Sequence, residues 1–188
     1  MRRYLAVLFF IALAALSAIP VQADPTSDLV AMQKAWSQVK SFHADIATAQ
    51  GRTVSIDYIL PDKIHEIVSN KMEMIFLGTE IYMKTGSSWM KSPVPMMAPM
   101  KVVFESSRRA GLEGEVKHDY TISDEGAATV NGTPATKYHL VNKTNGHAVD
   151  MYLASNHLPL QVAAPGDRGP TTITYSKYNS VPEITAPI

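Results

Sequence analysis

Residues 52–91 admit few folds, because they read as a ladder of short alternating runs. In 53–60, Val54, Ile56, Tyr58 and Leu60 point one way and Thr53, Ser55 and Asp57 the other, with Ile59 as the exception. Pro61-Asp62 interrupts the pattern and 63–69 resumes it. Met72, Met74 and Phe76 then alternate with Lys71 and Glu73 up to Gly78-Thr79. Residues 80–84 follow, and 89–91 come after Gly86-Ser87-Ser88. Successive strand side chains face opposite sides, so period-two runs between turn residues predict an antiparallel meander. One face of such a sheet must be covered. The rest of the chain is therefore read as cover, edge or continuation.

Upstream, Thr26 or Ser27 is a predicted helix cap, with Asp28 favourable in the first turn. Leu29, Met32, Trp36 and Val39 fall on one helical face. A first strand is predicted over 41–49, with Phe42, Ala44 and Ile46 on one side. Downstream, Pro93, Pro95 and Pro99 exclude a central strand. Met96, Met100, Val103 and Phe104 suit a short helix there. Strands are predicted again over 118–123, 137–141, 148–153, 158–163 and 171–178. Asn131-Gly132 and Asn145-Gly146 are read as two-residue hairpin turns. The tail 181–188, with two prolines, is expected to be irregular. The predicted fold class is mainly β with α cover. It is a curved antiparallel sheet forming an unclosed half-barrel, with the first helix and the 96–104 segment over its concave face.

The N-terminus carries an export address. Arg2-Arg3 precede an apolar run over 5–16, and Val21-Gln22-Ala23 offers small residues for cleavage. Residues 1–23 are thus an expected signal peptide, and 24–188 a single domain in the periplasm. Removing Arg2 and Arg3 leaves two fewer bases than the 17 of the whole chain against 17 acids, a net charge of −2. That balance disfavours a nucleic-acid partner. The chain has no cysteine, so no disulfide framework supports it and stability must come from the core.

Few residues suggest covalent chemistry. No cysteine nucleophile and no GxSxG motif is present. His65-Glu66 begins a HExxH-like stretch, but Ser69 stands where the second histidine is needed. A two-residue turn at Asn145-Gly146 sets His139 opposite Tyr152, away from His147. Asp119, Asp124 and Glu125 read as solvated loop charges. No catalytic residue, metal or cofactor is expected. The distinctive feature is instead methionine. Seven of the ten fall in 72–100: Met72, Met74, Met83, Met90, Met96, Met97 and Met100. Flexible, polarisable thioethers fill ordinary cores, and they also line surfaces that accept varied apolar partners. If the Met72-Met74-Phe76 face meets the Met96-Met100-Phe104 face, the space between them is a soft apolar cavity. Arg108-Arg109 read first as a solvated loop, and second as a partner for an anionic head group at its mouth.

Several motifs, in order, resemble the LolA/LolB-like lipoprotein carriers and the related LppX/LprG-type lipid-binding proteins. The carrier-like part comprises Asp28-Leu29, Val39-Lys40-Ser41-Phe42-His43-Ala44, Gly51, the strand to Pro61, and Gly78-Thr79-Glu80-Ile81-Tyr82. Met151-Tyr152-Leu153, Leu158-Pro159-Leu160 and Thr174-Tyr175-Ser176-Lys177-Tyr178 resemble the LppX-type relatives. Two positions depart from the carriers: Leu60 stands where they place an arginine, and Tyr82 where they usually have tryptophan. The resemblance implies a half-pipe with a helical lid over a cavity for acyl chains of lipids or lipoproteins. It also implies a membrane-bound donor or acceptor protein. The ligand-binding residues expected on this reading are Trp36, Met72, Met74, Phe76, Met96, Met100 and Phe104. The other reading is a periplasmic sensor or interaction protein on the same fold.

Overall fold

A computed structural model describes residues 24–69, 71–93, 118–166 and 169–188. The expected signal peptide, the proline-rich segment with Met96, Met100 and Phe104, and Arg108-Arg109 lie outside the described residues. The chain opens with helix α1 (Pro25–Ser37). Six strands follow: β1 (Ser41–Thr48), β2 (Thr53–Ile59), β3 (Lys63–Val68), β4 (Met72–Leu77), β5 (Glu80–Thr85) and β6 (Ser88–Lys91). The rest are β7 (Tyr120–Val130), β8 (Thr133–Asn142), β9 (Ala148–Leu153), β10 (Pro159–Ala164) and β11 (Thr171–Ser176). They form one 11-stranded sheet in the order β6-β5-β4-β3-β2-β1-β11-β10-β9-β8-β7. Every pair is antiparallel, and among the described residues β6 and β7 are the two edges and do not pair with each other, so the barrel stays open.

The expected strands are present, with instructive corrections. Helix α1 is capped by Asp24, whose carboxylate accepts the Thr26 N–H at 3.0 Å, and Pro25 occupies the first turn. Proline fits there because its missing N–H is one that the helix leaves unbonded, so the cap lies upstream of Thr26. Strand β7 does not end at Ser123. It runs to Val130 through an irregularity between Asp124 and Gly126, where the Asp124 carboxylate accepts the Gly126 N–H at 2.7 Å. Glu125 pairs with Lys137 at 2.7 Å. Those two acids are therefore strand residues, not loop charges. At Asn131-Gly132 both residues have positive φ, 48° and 80°, the geometry of a tight hairpin. The Asn145-Gly146 turn is longer than two residues. Asn142 bonds His147 across it at 2.8 Å, and His139 pairs with Asp150, not Tyr152.

Helix α1 lies on the inner face of the sheet. Near its start, Leu29 packs with Tyr138, Leu140 and Leu153. Asp28 accepts a hydrogen bond from the Tyr138 hydroxyl, and burial together with this contact raises the Tyr138 pKa. Near its end, Trp36 stacks against Phe42 at 5.2 Å and meets Tyr175 and Tyr178 edge-on. Met32 touches both clusters. Burial lifts the Tyr175 pKa to about 12. The outer face has its own small core. Ile184 of the C-terminal tail covers Ile75 and Tyr82, with Ile59, Leu77 and Trp89 beside them. Ile59, the exception to the β2 alternation, therefore serves this second cluster.

Trp36→Ala removes the indole that joins β1, β11 and α1. The expected loss is about 3–5 kcal/mol of unfolding free energy in a urea titration. A loss below about 1 kcal/mol would show that the aromatic cluster does not hold the helix.

Candidate functional site

The inner face of β1–β6 is organised in cross-strand rows. One row reads Tyr175, Ala44, Ile56, Glu66, Met74, Met83 and Met90. On one side lies Phe42, Tyr58, Ile64, Phe76 and Ile81, and on the other Ile173, Ile46, Val54, Val68 and Met72. Alternation places all of them on the face that α1 packs against. Burial grades across the rows. Ala44 and Ile56 are inaccessible beneath the helix cluster, whereas Met72, Met83 and Met90 are 52%, 38% and 52% exposed. The result is an apolar band, rich in methionine, on the β4–β6 side of the sheet. It continues directly from the core.

The expected ligand-binding residues separate within this geometry. Met72, Met74 and Phe76 share the inner face of β4 as predicted. Phe76 is 3% exposed and Trp36 8% exposed, so both are core side chains. Met74 packs partly against that core, and Met72 is the open member of the set. Met96, Met100 and Phe104 lie outside the described residues. Met83 and Met90, cross-strand partners at the sheet margin, join Met74 and Met72 in the band. Their signal was the alternation Ile81-Met83 in β5, set in register by the Gly78 turn.

Glu66 is the exception on this face. It stands between Ile56 and Met74. Desolvation raises its pKa above the usual carboxylate value, and the charge of Arg52 partly opposes the rise. No hydrogen bond or salt bridge joins its carboxylate to a described residue.

The outer face differs in kind. His43 lies 2.7 Å from Asp57 through Nδ1. Its Nε2 lies 3.2 Å from Asp45 and 3.5 Å from the Ser55 hydroxyl. These are the parts of a nucleophile relay, but two features work against that chemistry. Asp45 engages the nitrogen that would have to accept the serine proton. The β2 backbone is also paired on both sides, which leaves no N–H pair free for an oxyanion. Similar pairs recur across this face. Glu73 takes 2.6 Å and 3.0 Å contacts from Lys84 and His65, and the Lys84 bond leads in lowering its pKa. Asp150 takes His139 at 2.6 Å and Lys137 at 3.0 Å, and the His139 bond leads in lowering its pKa. Among the described residues no group of three or more His, Cys, Asp or Glu could hold a metal ion. No helix of the described residues is long and apolar enough to cross a membrane.

No family model matches the chain, and no curated protein is similar to it in sequence at a significant level. Solved structures do match its fold. The lipoprotein LppX of Mycobacterium tuberculosis is similar with a TM-score of 0.62 at 14% identity, over 85% of this chain and 97% of that one. LprF from Mycobacterium bovis gives 0.65 at 12% identity, over 87% and 96%. MucB gives 0.50 at 14% identity, over 88% of this chain and 62% of MucB. The fold is therefore LppX-like, in line with the half-pipe that the sequence motifs imply.

The Glu66 shift sets a direction for stability against pH. Its folded pKa lies above the unfolded value, so the folded state binds more protons in the interval between them. Its contribution is most favourable below the ordinary carboxylate pKa of 4.5, and it is lost as pH rises through the folded value. Glu66→Gln, a neutral isostere, should match the parent protein in acid and exceed it in thermal midpoint at neutral pH. Equal midpoints across the whole range would show that the carboxylate is not desolvated.

Proposed function

We propose that this protein is a periplasmic, non-catalytic carrier or binding protein for acylated molecules, whose acyl chains lie along the inner face of β3–β6. The observation that carries this reading is the exposed methionine band of Met72, Met83 and Met90 running into the buried core through Met74. Apolar side chains left open next to a core stabilise a bound hydrocarbon by about 0.8 kcal/mol per CH₂ removed from water. Methionine suits chains of varied length and unsaturation, because its unbranched thioether repacks at little cost. Trp36 and Phe76 support the floor of the trough, and Met72, Met74, Met83 and Met90 touch the ligand. Met96, Met100 and Phe104 would supply the opposing apolar surface of the lid. The LppX and LprF likeness supports the scaffold, and the basic-apolar-small pattern of residues 1–23 supports the exported address. The outer-face histidines, each held by acids within the sheet, favour a carrier over an enzyme.

A second reading has one observation in its favour. MucB has a related fold and is seen in complex with MucA from Pseudomonas aeruginosa, a structure that matches this chain with a TM-score of 0.50 over 82% of its length. A protein ligand in place of a lipid would make this chain an interaction module.

Native mass spectrometry of the exported protein, purified without detergent, separates the two readings. Co-purifying phospholipid, fatty acid or acylated peptide, recovered by organic extraction, is the expected result. A protein that stays free of lipid after incubation with lipid vesicles, yet holds one stoichiometric protein partner, would favour the interaction module. Met74→Asp together with Met83→Asp places two charges in the trough. Lipid occupancy should fall at least about tenfold while strand content by circular dichroism is kept. Undiminished occupancy in the folded double variant would remove these residues from the site.

A further inference from the structure

Glu66 is the one carboxylate on the inner face of β1–β6, and no described residue bonds it. Ile56 and Met74 flank it across the strands, and Ile64 and Val68 flank it along β3. The acids and histidines of the neighbouring strands, Asp57, His65 and Glu73, lie on the opposite face. Among the described residues, Arg52, exposed beyond the start of β2, supplies the opposing charge felt at Glu66. A polar group on an apolar face is costly without a partner; among the described residues Glu66 has none, whereas every other acid in β1–β6 has one. Asp45 and Asp57 hold His43, Glu73 holds His65 and Lys84, and Glu80 holds Lys91. Glu66 also stands at a particular place along its row. The closed core of Ile56 ends there and the open run of Met74, Met83 and Met90 begins. At about 4.8 Å per strand, it lies roughly 15 Å in from the Met90 margin.

We infer that Glu66 selects the ligand, so that the trough takes acyl chains bearing a hydrogen-bond donor near the chain, a hydroxyl or an amide N–H, and disfavours chains ending in an anion. This rests on the trough reading above. A ligand donor would give the carboxylate the partner that no described residue supplies, and charge-assisted hydrogen bonds are among the stronger polar contacts. A ligand carboxylate or phosphate at the same point would set two like charges together in an apolar surround. Its neighbours along the row, Ile56, Met74, Met83 and Met90, are hydrocarbon and thioether and cannot tell these ligands apart. Discrimination among chains of equal length therefore falls to this side chain.

Three probes of one chain length test the assignment: dodecanol, methyl dodecanoate and dodecanoate. They are titrated by displacement of a fluorescent acyl probe at about pH 8. The parent protein should bind dodecanol about tenfold more tightly than methyl dodecanoate, and dodecanoate most weakly. Glu66→Leu should bring the three affinities together. Glu66→Gln should relieve the handicap of dodecanoate while keeping part of the preference for dodecanol, because an amide carbonyl still accepts a hydrogen bond. Neither variant is expected to lose the fold, and an undiminished thermal midpoint checks this. Equal binding of all three probes by the parent protein would overturn the selection by Glu66 and leave the trough intact. So would an unchanged preference in folded Glu66→Leu. Failure of the parent protein to bind any of the three would overturn the trough itself.

Discussion

The structure depends on β1 being hydrogen-bonded on both sides. It pairs with β2 along 41–47 and with β11 along 43–48, so it joins the β2–β6 meander to the β7–β11 run. The aromatic set of Trp36, Phe42, Tyr58 and Tyr175 sits over this seam. Helix α1 leans from there toward β8 and β9, where Asp28 and Leu29 meet Tyr138. Among the described residues, a single helix placed that way lies over the β11 side of the inner face rather than the β4–β6 side. The open methionine band follows from where the helix is tethered. The sheet cannot seal it by closure, since β6 and β7 do not pair.

Much of this was legible in the sequence, because alternation is a strong signal wherever one face is buried. The runs 53–60, 63–69 and 72–76 gave their strands to within a residue or two, and the shared face of Met72, Met74 and Phe76 followed from period two alone. The errors fall where local chemistry has two outlets. Asp124-Glu125-Gly126 has turn composition, yet pairing with β8 and a bond from Gly126 to Asp124 carry the strand through it. Asn145-Gly146 resembles a two-residue turn, but the Asn142 side chain bonds Thr144 and Asn145 at 2.9 Å and 3.2 Å and organises a longer loop. That shift of register sets His139 against Asp150. Glu66 drew notice only as part of an incomplete metal motif. Its position between Ile64 and Val68 in the alternation marks it as inward-facing.

The two faces of the sheet follow opposite rules. Outside, charged and polar side chains are matched in short networks that water can reach, and each contributes modestly to stability. The exception is the patch of Ile59, Ile75 and Tyr82, which the tail covers through Ile184. Lys63 and Glu183 pair beside it, and Asn179 and Val181 bond Ser41 at the start of β1. Inside, the rows are mostly hydrocarbon and thioether, with the Tyr58 and Tyr175 hydroxyls and one carboxylate among them. Chemical selectivity on that face therefore depends on very few atoms, whereas capacity is spread over many.

The β1–β11 seam also bears on how the chain reaches this shape. His43 is paired with Ser176, nearly the whole described length apart, while most other ladders join neighbours through short turns. Local hairpins close quickly, and distant strands meet late because the loop entropy must be met first. The two meanders can therefore form as separate ribbons before the first and last strands zip together. Until that zipping, the β11-facing edge of β1 is exposed and the aromatic seam is wet. The central strand thus finds its second partner only after the final strand has arrived, and the sheet stays in two halves until then.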